Sequence, residues 1–293
     1  MITIFYQELV ICYSKEISLL AGSAIYATSG IISVKYHLQR FARSKYSKCL
    51  FFLLLGYLCI GTHQAFEWWA IGHQSIIAYK IGLFFSIFAM YVNILASEAF
   101  FGRSIGSKYI LLLLGLLIIH MTTREMSFEN MHFYVRGESH FYWGALWLIF
   151  FLYWNFMHYL LGKNLPRELK KINYKIPFYS LNISFLLSAF YSYSFGLYQN
   201  IVGKDNLSNF CGGILSNFEI VFDAPSIWCV FATIQGVFLY RFGGQILALE
   251  NQDFSYKGKL PVVKALSLTF LVWIIIFLSL PMFSGLSYKM ILK

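Results

Sequence analysis

The chain has 293 residues, of which 58% are hydrophobic, 20% aromatic and only 12% charged, about half the charged share of an ordinary soluble domain. A soluble core cannot hide that much apolar surface, so the composition excludes a water-soluble globular fold. The net charge of +10 does not point to nucleic acid, because the basic residues are spread over short connections and contact with anionic lipid accounts for them.

Runs of roughly 17 to 25 residues almost free of charge recur along the chain, the pattern of membrane-crossing helices. The alternation expected of a membrane barrel, in segments of about ten residues, does not dominate. The prediction is an all-α polytopic integral membrane bundle, one domain over residues 1–293, with about eight transmembrane helices at 16–34, 49–72, 77–101, 108–123, 141–161, 176–199, 224–240 and 261–285. The first span is expected to act as its own uncleaved insertion signal. The fourth has a short apolar core, from Tyr109 to Met121, which by length alone also suits a re-entrant segment.

Charge decides in favour of keeping it. With eight spans, sixteen lysines and arginines fall on one side, including Lys35, Arg43, Lys108, Lys171 and Arg241, against seven on the other. The positive-inside rule makes the richer side cytoplasmic. Both termini are then expected outside, in a bacterial inner membrane, with the lipid bilayer as the one partner the sequence names.

The second span ends in Gly61-Thr-His-Gln-Ala-Phe-Glu-Trp-Trp69. Ionisable groups at membrane depth are expensive, and His63 and Glu67, four residues apart, share one helix face. The topology gathers further polar residues on that side: His73 at the end of the same span, His120 at the end of the fourth, and acidic and histidine residues of the loops that follow. An outer polar vestibule is expected, with His63, Gln64, Glu67 and His120 as the candidate functional site. Cys12, Cys211 and Cys229 fall on the same side, where any two could form a disulfide in an oxidising compartment. Glu98 is expected to pair with Arg103 at the inner interface, and His158 to pack between helices. Ser184, Ser188 and Ser192, spaced at i, i+4 and i+8, put small hydroxyls on one face of span six.

Span seven opens Asp223-Ala-Pro-Ser-Ile-Trp-Cys229, with Pro225 suited to a first helical turn and Asp223 placed to complement the helix N-terminus. Cys12-Tyr-Ser-Lys-Glu-Ile-Ser18, Gln64-Ala-Phe-Glu67 and Trp228-Cys229, in this order, resemble a family of uncharacterised, mostly bacterial multi-spanning membrane proteins that open Met-Cys-Phe-Ser and carry Gln-x-x-Glu-Gly and a late Trp-Cys. The departures are eleven residues ahead of Cys12, Trp68 in place of the glycine, a longer loop near 200–222 and an additional last span. The resemblance implies no activity, but it directs attention to Cys12, Ser14, Gln64, Glu67, Trp228 and Cys229.

Three functions suit these residues. One is a membrane protein that senses or passes a small ion or solute through a polar vestibule at His63 and Glu67. A second is a metal-dependent intramembrane enzyme of the hydrolase type, with His63, Glu67 and His120 as ligands and Asp223 nearby. The third is a structural or assembly role in which these groups satisfy neighbouring helices. No phosphate loop, nucleophile elbow or C-x-x-C pair occurs, and the sequence leaves the identity of any cofactor open.

Overall fold

The structure is a computed structural model that describes residues 9–11, 15–36, 45–101, 107–129, 132–136, 140–163, 178, 183, 185–190, 192 and 224–250. It contains the helices α1 (Lys15–Tyr36), α2 (Lys45–His73), α3 (Ile76–Phe101), α4 (Ser107–Thr123), α5 (His140–Lys163) and α6 (Ala224–Glu250), together with strands β1 (Leu9–Ile11), β2 (Met126–Glu129) and β3 (His132–Val135). These helices overlie the segments expected at spans one to five and seven, and α6 continues ten residues past the expected end at 240. Of the sixth segment, residues 185–190 are helical; the eighth, 261–285, lies outside the described residues. Among the described residues, two helices, from Tyr46 to His73 and from Ile76 to Phe101, are by length and composition long and apolar enough to cross a membrane.

The α2–α3 hairpin is the spine. Its two-residue connection satisfies the helix ends locally: the Ser75 N–H donates to the Ala70 carbonyl at 2.9 Å, closing α2 in a Schellman-type turn, and Ser75 Oγ accepts the Ala78 N–H at 3.3 Å to cap α3. Gln74 takes the left-handed position of that turn at φ 53°, where glycine is the usual residue. At the other end of α3, Glu98 Oε1 accepts the Ser107 N–H at 3.1 Å. Its carboxylate thus meets the positive end of α4. The predicted partner Arg103 lies outside the described residues.

Glycines set the closeness of the packing. On the α1 side, the position of a Cβ at Gly22 would lie 3.3 Å from Gln64 Cβ, and one at Gly61 would lie 2.7 Å from Ile25 Cγ2. On the α3 side, a Cβ at Gly82 would lie 3.2 Å from Phe66 Cβ, and one at Gly56 would lie 2.8 Å from Asn93 Nδ2. Along both seams residue numbers fall on one helix as they rise on the other, so α2 runs antiparallel to α1 and to α3. Helix α6 joins the opposite way. Gly236 meets Thr28 and Tyr57, while Gly243 meets Tyr36 further along, so α6 runs parallel to α1.

A small antiparallel sheet, in the order β1-β3-β2, covers one end of this bundle. Val135 pairs with Leu9 on one side and Met126 on the other. Side chains alternate about the strand: Phe133 and Val135 are buried while Tyr134 between them is partly exposed. Phe133 stacks on Tyr79 of α3 at 4.4 Å between ring centroids. The all-α expectation therefore holds for the bundle and is amended at this end, where strands too short for a visible period read as loop in the sequence.

The opposite, far end is aromatic. Phe100, Phe178 and Phe242 meet there at 5.8 to 6.1 Å. His158 stacks on Trp154 at 5.1 Å, and its Nε2 lies 3.1 Å from Ser97 Oγ, which makes it a packing residue as the sequence suggests. Helix α5 thus starts beside the sheet and ends near the end of α3, parallel to it.

Gln74→Gly is expected to stabilise the folded chain by about 1 kcal/mol, since a non-glycine residue in the left-handed region costs roughly that much. A shift of the denaturation midpoint of the detergent-solubilised protein measures it, and an unchanged or lowered midpoint would contradict the strain.

Candidate functional site

Three helices build the site at the sheet end. Helix α2 supplies His63, Gln64 and Glu67 from adjacent turns, α1 supplies Ser18, and α3 supplies the backbone of Gly82. Glu67 and Gln64 are completely buried, and His63 is 5% exposed. These side chains lie inside the α1–α2–α3 seam. Gly22 and Gly82 bring the flanking helices too close to leave them exposed.

His63 Nε2 lies 2.8 Å from Glu67 Oε1, while His63 Nδ1 lies 3.0 Å from the Gly82 carbonyl. Ser18 Oγ donates to Glu67 Oε2 over a long 3.4 Å. The Gly82 oxygen can only accept, so Nδ1 carries a hydrogen. A bare Nε2 lone pair cannot face a carboxylate at 2.8 Å, so a further proton belongs to the pair. It makes the pair either imidazolium with carboxylate or imidazole with carboxylic acid. Both forms are neutral overall, which is what burial in a low-dielectric seam requires.

The carboxyl group is incompletely satisfied. Among the described residues, Oε1 makes no hydrogen bond of good geometry despite its short approach to the imidazole, so the oxygen lies off the ring N–H axis. Oε2 has the long bond from Ser18. A buried carboxyl short of donors is uncommon in a purely structural role.

His120 does not join this group. It lies at the end of α4, where Arg124 approaches its ring at 3.4 to 3.5 Å. Lys80 caps the same helix end by donating to the carbonyls of Thr122 at 2.7 Å and Arg124 at 3.0 Å. Among the described residues no group of three His, Cys, Asp or Glu side chains can hold a metal ion, so a site of His63, Glu67 and His120 is not assembled. His73 stacks on Trp69 at 4.1 Å on the exposed side of α2. Cys12, Ser14, Cys211 and Asp223 lie outside the described residues, as do the side chains of Trp228 and Cys229, although the α6 backbone at 228 and 229 is helical. Of the span-six serines, Ser188 and Ser192 are described, and Ser192 is buried.

The sequence does not disclose Ser18 and Gly82 as site members. Ser18 belongs to the first motif of the resemblance, but nothing local aims it at Glu67. Gly82 reads as one more small residue in an apolar helix.

No family model, curated protein or solved structure matches the chain.

Removing either member of a buried, mutually neutralising pair leaves the other uncompensated, at about 3 to 5 kcal/mol. A double-mutant cycle of His63→Phe and Glu67→Gln, read by denaturation, should give a coupling energy of about 1 to 3 kcal/mol. Additive effects would mean that the two groups do not share a proton or charge.

Proposed function

We propose that the chain is a multi-spanning membrane protein that moves protons, alone or coupled to a small cation, through the His63–Glu67 pair. The observation that carries this reading is the fully buried Glu67 carboxyl, short of hydrogen bonds, against an imidazole whose Nδ1 is committed to the Gly82 carbonyl. An ionisable pair that can pass a proton between its members is suited to relay chemistry, and intramembrane carboxyls commonly mark such paths.

Two further observations support the membrane setting. Helix α4 exposes Tyr109, Leu112, Leu116 and Ile119 at 57 to 82%, a face that suits hydrocarbon. Lys35, Lys48, Lys108 and Arg241 belong to the far end of the helices, whereas Lys80, Arg124 and Arg136 belong to the sheet end. With the basic loops of the sequence, this asymmetry supports eight spans in a bacterial inner membrane, the far end cytoplasmic and both termini outside. The likeness to the uncharacterised bacterial membrane family belongs to the same reading. The metal-dependent enzyme loses its main support because its three candidate ligands do not converge among the described residues.

Purified full-length protein in liposomes, given a potassium diffusion potential and a trapped pH dye, tests the reading. Glu67→Gln keeps the shape of the side chain but cannot release a proton. It should slow proton entry by about a hundredfold while the protein, though less stable, still elutes as a folded species. Equal proton entry in wild-type, Glu67→Gln and protein-free vesicles would overturn the proposal.

A further inference from the structure

Below the pair, the seam between α1, α2 and α6 holds a second buried polar station. Tyr57, completely buried on α2, donates from its hydroxyl to the Thr233 carbonyl of α6 at 3.0 Å. Thr28 of α1 is a further hydrogen-bond partner of that hydroxyl, and Gly236 lies so close that a Cβ there would overlap both Tyr57 and Thr28. Ser29, on the next position of α1, has a buried hydroxyl with no hydrogen-bond partner among the described residues. Three helices therefore converge on hydroxyl and carbonyl oxygens at mid-bundle, and α1 carries a further unmet hydroxyl one residue beyond Thr28.

The station is in line with the site above it. Ser18 faces Glu67, Gly22 faces Gln64, and Thr28 faces Tyr57, so one antiparallel seam carries both. Tyr57 and Gln64 are seven residues apart, two turns on the same face of α2, or about 10 Å along the axis. At the far end of α1 the Tyr36 hydroxyl donates to the Tyr240 carbonyl, and Lys35 donates to the Tyr240 hydroxyl. From Ser18 to Tyr36 the α1 backbone rises about 27 Å at 1.5 Å per residue, close to the roughly 30 Å of a hydrocarbon core.

One apolar residue interrupts the upper half of this line. Ile25, completely buried, is wedged against Gly61, where a Cβ would lie 2.7 Å from its Cγ2. It occupies the level between Gln64 and Tyr57. Gly61 supplies the space for that branched side chain and offers no polar side chain of its own across the gap.

We propose that the α1–α2–α6 seam is the route by which a proton leaves the His63–Glu67 pair, that Tyr57 with Thr28, Ser29 and the Thr233 carbonyl is its next station, and that Ile25 on Gly61 is the plug that keeps water from joining the two. The inference rests on the proton-handling reading of the pair. In the plugged state water does not link Gln64 to Tyr57, and passage requires Ile25 to move or a water to enter beside Gly61. Hydroxyl groups supply the intervening donors and acceptors, so no oxidant or metal is involved. A proton accepted at the Tyr57 oxygen is matched by release of the hydroxyl's own proton to a water that enters beside it, because the Thr233 carbonyl accepts a hydrogen bond but relays no proton.

The test reads water at Tyr57 directly and does not depend on flux. Full-length protein in lipid nanodiscs is exposed to radiolytic hydroxyl radicals, and Tyr57 oxidation is quantified by mass spectrometry for wild type, Ile25→Val and Ile25→Ser. The expected order is wild type lowest, Ile25→Val higher and Ile25→Ser several-fold higher, with oxidation of Tyr79 unchanged. Ile25→Val removes one methyl group and keeps the fold if the serine variant does not. Equal Tyr57 oxidation in wild type and Ile25→Val, or wild-type oxidation already at the level of the variants, would overturn the plug and the route. A parallel liposome arm separates the two proposals: loss of proton entry in Glu67→Gln with no effect of Tyr57→Phe contradicts the route alone, whereas indifference to Glu67→Gln contradicts the pair.

Discussion

A carboxyl group taken wholly out of water must bring its compensation with it, and the sheet end of this bundle is organised by that requirement at Glu67. The imidazole of His63 stands against it one turn earlier on the same helix. That imidazole is oriented in turn by a backbone carbonyl, available only because Gly82 has no side chain to hold α3 away. Neutrality of the pair thus depends on helix spacing, and helix spacing depends on glycine. A side chain at Gly82 would press on Phe66 and His63, reaching the chemistry through packing alone.

The same logic gives the bundle its architecture. Glycines at 22 and 61 bring α1 against α2, those at 56 and 82 bring α3, and those at 236 and 243 bring α6. Close backbone approach and interhelical hydrogen bonds are the means by which helices associate where a lipid surrounding removes the hydrophobic drive. Tyr57 to the Thr233 carbonyl and Tyr36 to the Tyr240 carbonyl are bonds of that kind. The polar groups of the α1–α2–α6 seam are thereby both glue and a line of oxygens along a direction that apolar side chains otherwise close.

The helices are legible in the sequence because a run of twenty residues without charge suits little besides a membrane-crossing or deeply buried helix, and the edges of α2 to α5 follow from where charge and turn residues resume. The His63–Glu67 pair is legible from its spacing, which is local. Its depth is not, because burial depends on what α1 and α3 bring, and Ser18 and Gly82 carry no mark of their destination. His120 is grouped with the pair in the sequence for the same reason: charge arithmetic assigns a membrane side but not a lateral position, and His120 is engaged with Arg124 at the end of α4. The sheet escapes a sequence reading because β1 is a three-residue run, Leu-Val-Ile, whose partner strand lies far along the chain.

The central claim is that the Gly82 carbonyl fixes the His63 tautomer and so leaves one mobile proton for His63 and Glu67 to share. Nitrogen-15 magnetic resonance of His63 in lipid bilayers reads this directly, with Glu67→Gln as the comparison. The account predicts a protonated Nδ1 in both proteins and a change at Nε2 when the carboxyl is replaced. An unprotonated Nδ1, or an Nε2 signal indifferent to Glu67, would contradict it.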